Sequence, residues 1–145
     1  PEEDDEMTAS IKTVTPSRTF LEKALLLNEE LQKKEPRSLR MSRHLYDLDR
    51  LMDTEFAQKA LNDGKLYKAI VEHRRRFYHL GYVDYDKDYP TMINFIPQNE
   101  VMKAYRLDYE SNMVDGYIYG KAKAFDELMD RMEKLLQHFR QIVIS

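Results

Sequence analysis

Apolar residues recur along most of this chain at intervals of three and four, the spacing of helices that bury one face. Phe20, Ala24, Leu27 and Leu31 make the first stripe, widened by Leu25 and Leu26. Pro16 and Ser17 start that helix, and residues 33–37, with Pro36 among them, end it. Leu45, Leu48 and Met52 make a second stripe, with Ser42 placed to cap its helix. Thr54 and Glu55 open a short third helix reaching Leu61, and Asn62-Asp63-Gly64 breaks it. Leu66, Ile70, Phe77 and Leu80 predict a fourth helix ending at Gly81 in the C-cap position. A fifth follows Pro97, with Val101, Tyr105 and Tyr109 inward, and a loop bounded by Gly116 and Gly120 comes next. The last is the clearest: Phe125, Leu128, Met132, Leu135, Phe139 and Ile142 repeat in steps of three and four, with Asp126 and Glu127 in the first turn, where the helix dipole favours acids.

Two segments do not follow this period. Residues 11–14 alternate apolar with polar and read as a short strand, which alone cannot satisfy its backbone groups. Its sheet is therefore expected outside this sequence. Residues 82–97 are irregular and aromatic (Tyr82, Tyr85, Tyr89, Phe95) and are expected to pack across the helices through their rings. The expected fold is mainly α, a helical bundle of about five or six helices with a short N-terminal strand remnant. Residues 1–16 read as an acidic tail and the last strand of a missing domain, and residues 17–145 as a helical domain.

Composition agrees. The 145 residues are 42% hydrophobic and 34% charged, with only 4 Gly and 5 Pro, a mixture that suits helices better than strands and tight turns. There is no Cys, so disulfides, thiolate metal sites and thiol catalysis are excluded. No apolar run approaches the roughly 20 residues that span a bilayer, and the acidic start is unlike a signal peptide. No membrane partner is expected, and these features fit the cytoplasm. The net charge of −3 argues against a general nucleic-acid coat. The chain begins at Pro1 without an initiator Met, as expected of a processed protein or a piece of a longer one.

Several polar groups invite chemistry. Arg43, Asp47 and Arg50 lie at i, i+4 and i+7, on a helix face other than that of Leu45, Leu48 and Met52. A solvated row of ion pairs is the ordinary reading. With Arg40 nearby, a cluster of guanidinium groups around one carboxylate would also suit a polyphosphate. Lys23 is either a plain surface lysine or a point charge aimed at a phosphate. Asp84-Tyr85-Asp86-Lys87-Asp88 superficially resembles a carboxylate metal loop but lacks the Gly and the distal Glu of an EF-hand. Arg74-Arg75-Arg76 reads as the outer face of the fourth helix or as a contact for RNA. The four His have no metal-ligand spacing, and no metal site is assigned.

The stretch Arg18-Thr19-Phe20-Leu21-Glu22-Lys23-Ala24-Leu25-Leu26-Leu27-Asn28-Glu29, followed by Ser42-Arg43-His44-Leu45-Tyr46-Asp47-Leu48-Asp49-Arg50-Leu51, resembles the second half of the AbiEii/AbiGii nucleotidyltransferase toxins. Phe77-Tyr78-His79-Leu80-Gly81 and Tyr89-Pro90-Thr91-Met92-Ile93-Asn94-Phe95-Ile96-Pro97 are similar to that family as well. The resemblance implies a polymerase-β-like N-terminal half carrying Gly-Gly-Ser/Thr and Asp-x-Asp motifs, which hold metal and triphosphate. Neither the glycine motif nor a strand-borne Asp-x-Asp occurs in this chain. The helical half contributes a Lys and an Asp to the same cleft. Lys23 and Asp47 match those positions as catalytic residues, with Lys23 and Arg43 as nucleotide-binding residues. His44 stands where many members have an acid. The resemblance further implies Mg²⁺ and an NTP as cofactors of the whole enzyme, an RNA acceptor such as tRNA, a toxin–antitoxin or phage-defence setting in bacteria, and a cognate antitoxin. On this reading the fragment alone is inactive. The alternative is a non-catalytic helical binding or scaffold module that meets a partner through Arg74-Arg75-Arg76 or the aromatic loop.

Overall fold

The structure, a computed structural model, describes residues 15–114 and 122–144. The expected strand at residues 11–14 and the loop between Gly116 and Gly120 lie outside them. The described elements are helical: α1 Pro16–Glu30, α2 Ser42–Met52, α3 Glu55–Leu61, α4 Gly64–Phe77, a 3₁₀ turn Tyr85–Asp88, α5 Asn99–Asp108 running into a π turn Tyr109–Met113, and α6 Phe125–Arg140.

The central helix is α1. The Thr15 hydroxyl accepts the Arg18 backbone N–H at 3.1 Å, and Pro16 fills a first-turn position where a missing N–H costs nothing. Phe20, Leu21, Ala24, Leu25 and Leu27 are fully buried, so the helix buries a broad apolar face. It packs against α2, α3, α4 and the 3₁₀ turn, and α6 lies on α2. The Phe139 ring of α6 meets Phe20 of α1 at 5.6 Å, Tyr67 of α4 at 6.3 Å and Phe95 of the long connection at 5.3 Å between centroids. Tilted and edge-on rings at these separations add to plain burial. The connection therefore does pack through its rings, with Tyr85, Ile93, Phe95 and Ile96 buried. Tyr82 is the exception, at 43% exposed.

The fourth helix departs from expectation. It stops at Phe77 rather than at Gly81. Phe77 and Leu80, expected in the core, are 65% and 39% exposed. Its inward row is Tyr67, Ile70, Val71 and Arg74. His79 adopts φ 49°, in the left-handed region that closes off a helix, and the Leu80 N–H donates to the Tyr85 hydroxyl at 3.0 Å. At the start of this helix the Asp63 carboxylate accepts the Leu66 N–H at 2.9 Å. A Cβ on Gly64 would sit 1.8 Å from the Val143 carbonyl oxygen, so the glycine admits the C-terminal backbone.

The cap of α2 is also not the expected one. Met41 holds the cap position, and the Ser42 hydroxyl donates to the Asp108 carboxylate of α5. Asp108 accepts the backbone N–H of Arg40 at 2.7 Å and of Ser42 at 3.1 Å, and the Asn112 amide at 2.9 Å. Arg40 has φ 62° in this turn. A carboxylate 66 residues away thus takes the place of a local N-cap.

Candidate functional site

The packing of α1 on α2 sets Lys23 beside Asp47. Lys23 follows Glu22 and precedes buried Ala24, so its side chain leaves the rim of the buried stripe. Asp47 lies between buried Leu45 and Leu48 in the same way. Lys23 Nζ lies 3.0 Å from Asp47 Oδ2, with side chains 25% and 23% exposed. Two residues 24 positions apart therefore form a part-screened ion pair at the seam between two helices. It presents a part-exposed ammonium held by one carboxylate.

His44, one turn before Asp47, completes the seam. The residue is half-buried, and its Nδ1 is buried without a hydrogen-bond partner. Burial lowers its pKa below the ordinary value, and Lys23, Arg37 and Arg43 push the same way against Asp47. The imidazole therefore favours its neutral form, with Lys23, Arg37 and Arg43 among the charges that act on it. Arg43 is exposed. Arg50 NH1 donates to the Tyr46 hydroxyl at 3.1 Å, with its guanidinium 5.7 Å from that ring. Asp47 thus has Lys23 of α1 as an ion-pair partner, where a row along α2 alone was the ordinary expectation.

Other charged residues hold the site in place. Arg74 forms a bidentate pair with Glu29, both contacts 2.7 Å, and reaches Glu22 at 3.2 Å. Glu22 also accepts from Arg18 at 3.2 Å. The three-arginine run is thereby split: Arg74 is 6% exposed and belongs to the interior, not to an outer face. Asp88 is fully buried and accepts the Asn28 amide at 2.7 Å. Its Oδ2 has no donor. Burial and the adjacent Glu29 carboxylate hold Asp88 far above the usual carboxylate range. Asp88 therefore favours its protonated form, beside a Glu29 whose two oxygens both accept from Arg74. On the other side of α2, Asp49 is buried beneath Arg131 and Lys123, and Arg131 also reaches Asp53.

The Asp84-Tyr85-Asp86-Lys87-Asp88 stretch has its acids committed separately. Asp84 accepts the Asp86 N–H at 3.0 Å, Asp86 pairs with Arg75 at 2.6 Å, and Asp88 points inward. Among the described residues no group of three His, Asp or Glu is placed to hold a metal ion. Nor, among them, is any helix long and apolar enough to cross a membrane.

Sequence reasoning missed Glu29, Asp49 and Asp108, and gave Arg74 and Asp88 an outer face and a metal-like loop rather than their buried roles. For Arg74 a signal exists, since positions 67, 70, 71 and 74 keep helical spacing and place it on the inward face. Asp108 has none, because its partners are 66 and 68 residues away.

The described residues form a helical bundle in which a lysine and an aspartate from two helices meet in an ion pair at a partly exposed seam. The family model described as the nucleotidyl transferase AbiEii toxin, of type IV toxin–antitoxin systems, matches residues 1–131. The chain belongs to this family of nucleotidyltransferase-type toxins. No curated protein and no solved structure matches it.

Proposed function

We propose that this chain forms the helical wall of a nucleotidyl-transfer cleft. The other wall, with the Gly-Gly-Ser/Thr and Asp-x-Asp motifs that carry metal and triphosphate, would come from sequence N-terminal to Pro1. The whole enzyme would use Mg²⁺ and an NTP to modify an RNA acceptor such as the tRNA 3′ end, with a cognate antitoxin as partner. The observation that carries this reading is the 3.0 Å pair of Lys23 and Asp47, the two positions the family pattern singles out.

The transfer joins an acceptor hydroxyl oxygen to the α-phosphorus and breaks the bond to the β,γ-pyrophosphate. A metal ion held by the other wall would supply charge stabilisation at the phosphates. Lys23 and Arg43 contact the triphosphate and stabilise the charge that develops on the departing pyrophosphate. Asp47 holds the Lys23 ammonium in position by their ion pair. A base role at the acceptor hydroxyl is the other use of its carboxylate.

The test is label transfer from radioactive NTPs to total tRNA by the protein in its full natural length. Lys23→Ala and Asp47→Ala should each slow transfer by about tenfold to a hundredfold, the loss expected for a positioned charge in a transition state. The chain expressed alone should show none. Transfer that survives both substitutions at the wild-type rate would remove Lys23 and Asp47 from the reaction.

A further inference from the structure

We propose that the outer face of α4 and the turn after it bind unpaired RNA, its bases stacking on exposed rings and its phosphates meeting arginine and lysine. The inference concerns a surface other than the Lys23–Asp47 seam and does not depend on the transfer reaction. Phe77, Tyr78, Leu80 and Tyr82 crowd one short stretch and are 65%, 48%, 39% and 43% exposed. A contiguous run of large apolar side chains in water marks a surface that meets something. The rings are nonetheless held in place. The Phe77 ring lies 4.6 Å from that of His73, which meets Tyr78 edge-on at 6.3 Å between centroids. The Arg74 guanidinium sits 4.7 Å from the Tyr78 ring, and Lys33 Nζ 5.2 Å from that of Tyr82. Rings fixed in this way lose little freedom when a base stacks on them.

The charges favour a nucleic acid over an apolar protein segment. A groove of about 640 Å³ beside Phe77 is lined by His73, Arg75, Arg76 and His79 as well. In and beside it Lys68, Arg75, Arg76 and Lys87 outnumber Glu72, Asp84 and Asp86, in a chain whose net charge is −3. The three acids are also engaged within the protein. Glu72 accepts the Tyr89 hydroxyl at 2.5 Å, Asp84 the Asp86 N–H at 3.0 Å, and Asp86 pairs with Arg75 at 2.6 Å. Arg76 stays exposed at the rim of the groove, next in sequence to the most exposed ring. Aromatic faces interleaved with cationic groups suit single strands, whose bases are free to stack, rather than a duplex, whose bases are already stacked.

The experiment measures, by fluorescence anisotropy, binding of the full natural-length protein to a labelled, unstructured RNA of about 12 nucleotides, free or annealed to its complement. The single strand should bind about tenfold more tightly than the duplex. Phe77→Ala should weaken single-strand binding about tenfold, and Phe77→Trp, which keeps a ring, should retain it. Arg76→Ala should weaken it and reduce its salt dependence by about one phosphate contact. Both side chains are exposed, so unchanged thermal melting of the variants excludes loss of fold as the cause. Lys23→Ala should bind as wild type does. Equal affinity for single strand and duplex overturns the proposal. Wild-type affinity in both Phe77→Ala and Arg76→Ala also overturns it, and leaves the rings to a protein partner. Binding lost in Lys23→Ala but kept in Phe77→Ala places the RNA at the seam, overturning this surface while the proposed function stands.

Discussion

Arg74→Met should cost about 3–5 kcal/mol of folding stability, because it strands a buried carboxylate rather than merely removing an ion pair. Glu29, its bidentate partner, has a side chain only 4% exposed. Both Glu29 oxygens accept from Arg74, and the neighbouring Asp88 carboxyl already needs a proton to sit there. Without the guanidinium, Glu29 is left buried beside the Asp88 carboxyl and loses the ion pair that compensates it. Glu22 also loses a partner, although Arg18 still reaches it. Urea unfolding of Arg74→Met and of Arg74→Met/Glu29→Leu separates the causes. The double variant should recover a large part of the loss, since an apolar pair of similar volume is commonly no worse than a buried salt bridge. A single-variant loss below about 1 kcal/mol would show instead that the pair behaves as an exposed one.

The second large effect is expected at Asp108. Its carboxylate receives two backbone N–H groups, one hydroxyl and one amide. Asp108→Ala leaves those donors unmatched at the buried start of α2, at about 1–3 kcal/mol for each buried group that finds no substitute. The expected total is about 3 kcal/mol, since water reaches the more open donors. Asp108→Asn, which keeps an acceptor, should lose less. Burial pushes the Asp108 pKa up, but the hydrogen bonds from Ser42, Arg40 and Asn112 outweigh it and hold it below the ordinary value. A carboxylate with a lowered native pKa stabilises the fold above its unfolded pKa of roughly 3.9, and that contribution is lost as pH falls through the native value. Thermal melting between pH 7 and pH 3 should therefore bring wild type towards Asp108→Asn. Parallel melting curves would contradict the assignment.

Both effects bear on the site. Arg74 ties α4 to α1 through Glu22 and Glu29, next to Lys23. Asp108 fixes the end of α2 from which Arg43, His44 and Asp47 project. The seam is thus braced from two directions by buried groups.

Most of the helices are legible in the sequence because burying one face imposes a period of three and four, and α1, α2, α3 and α6 keep it closely. The end of α4 is not. Phe77 and Leu80 continue the period, but the chain leaves the helix through His79 at φ 49° and a bond to the Tyr85 hydroxyl, both set by tertiary context. The same limit applies to the cap of α2. Ser42 has the right side chain for a local cap, and a carboxylate distant in sequence provides a stronger one. For the site, the family pattern picks out Lys23, Arg43 and Asp47, whereas periodicity alone says only that the core does not need them. The contact between Lys23 and Asp47 depends on how two helices cross. The charge environment of His44 depends on Arg37 in an irregular link, which carries no period to read.

Whether the α1–α2 seam faces a bound nucleotide is tested most directly by an experimental structure of the full natural-length protein with Mg²⁺ and a non-hydrolysable NTP. Lys23 Nζ should lie within about 3.2 Å of a triphosphate oxygen, with Asp47 still in contact with Lys23 and Arg43 turned towards the phosphates. A triphosphate seated away from this seam, with the Lys23–Asp47 pair facing solvent, would contradict the proposed function.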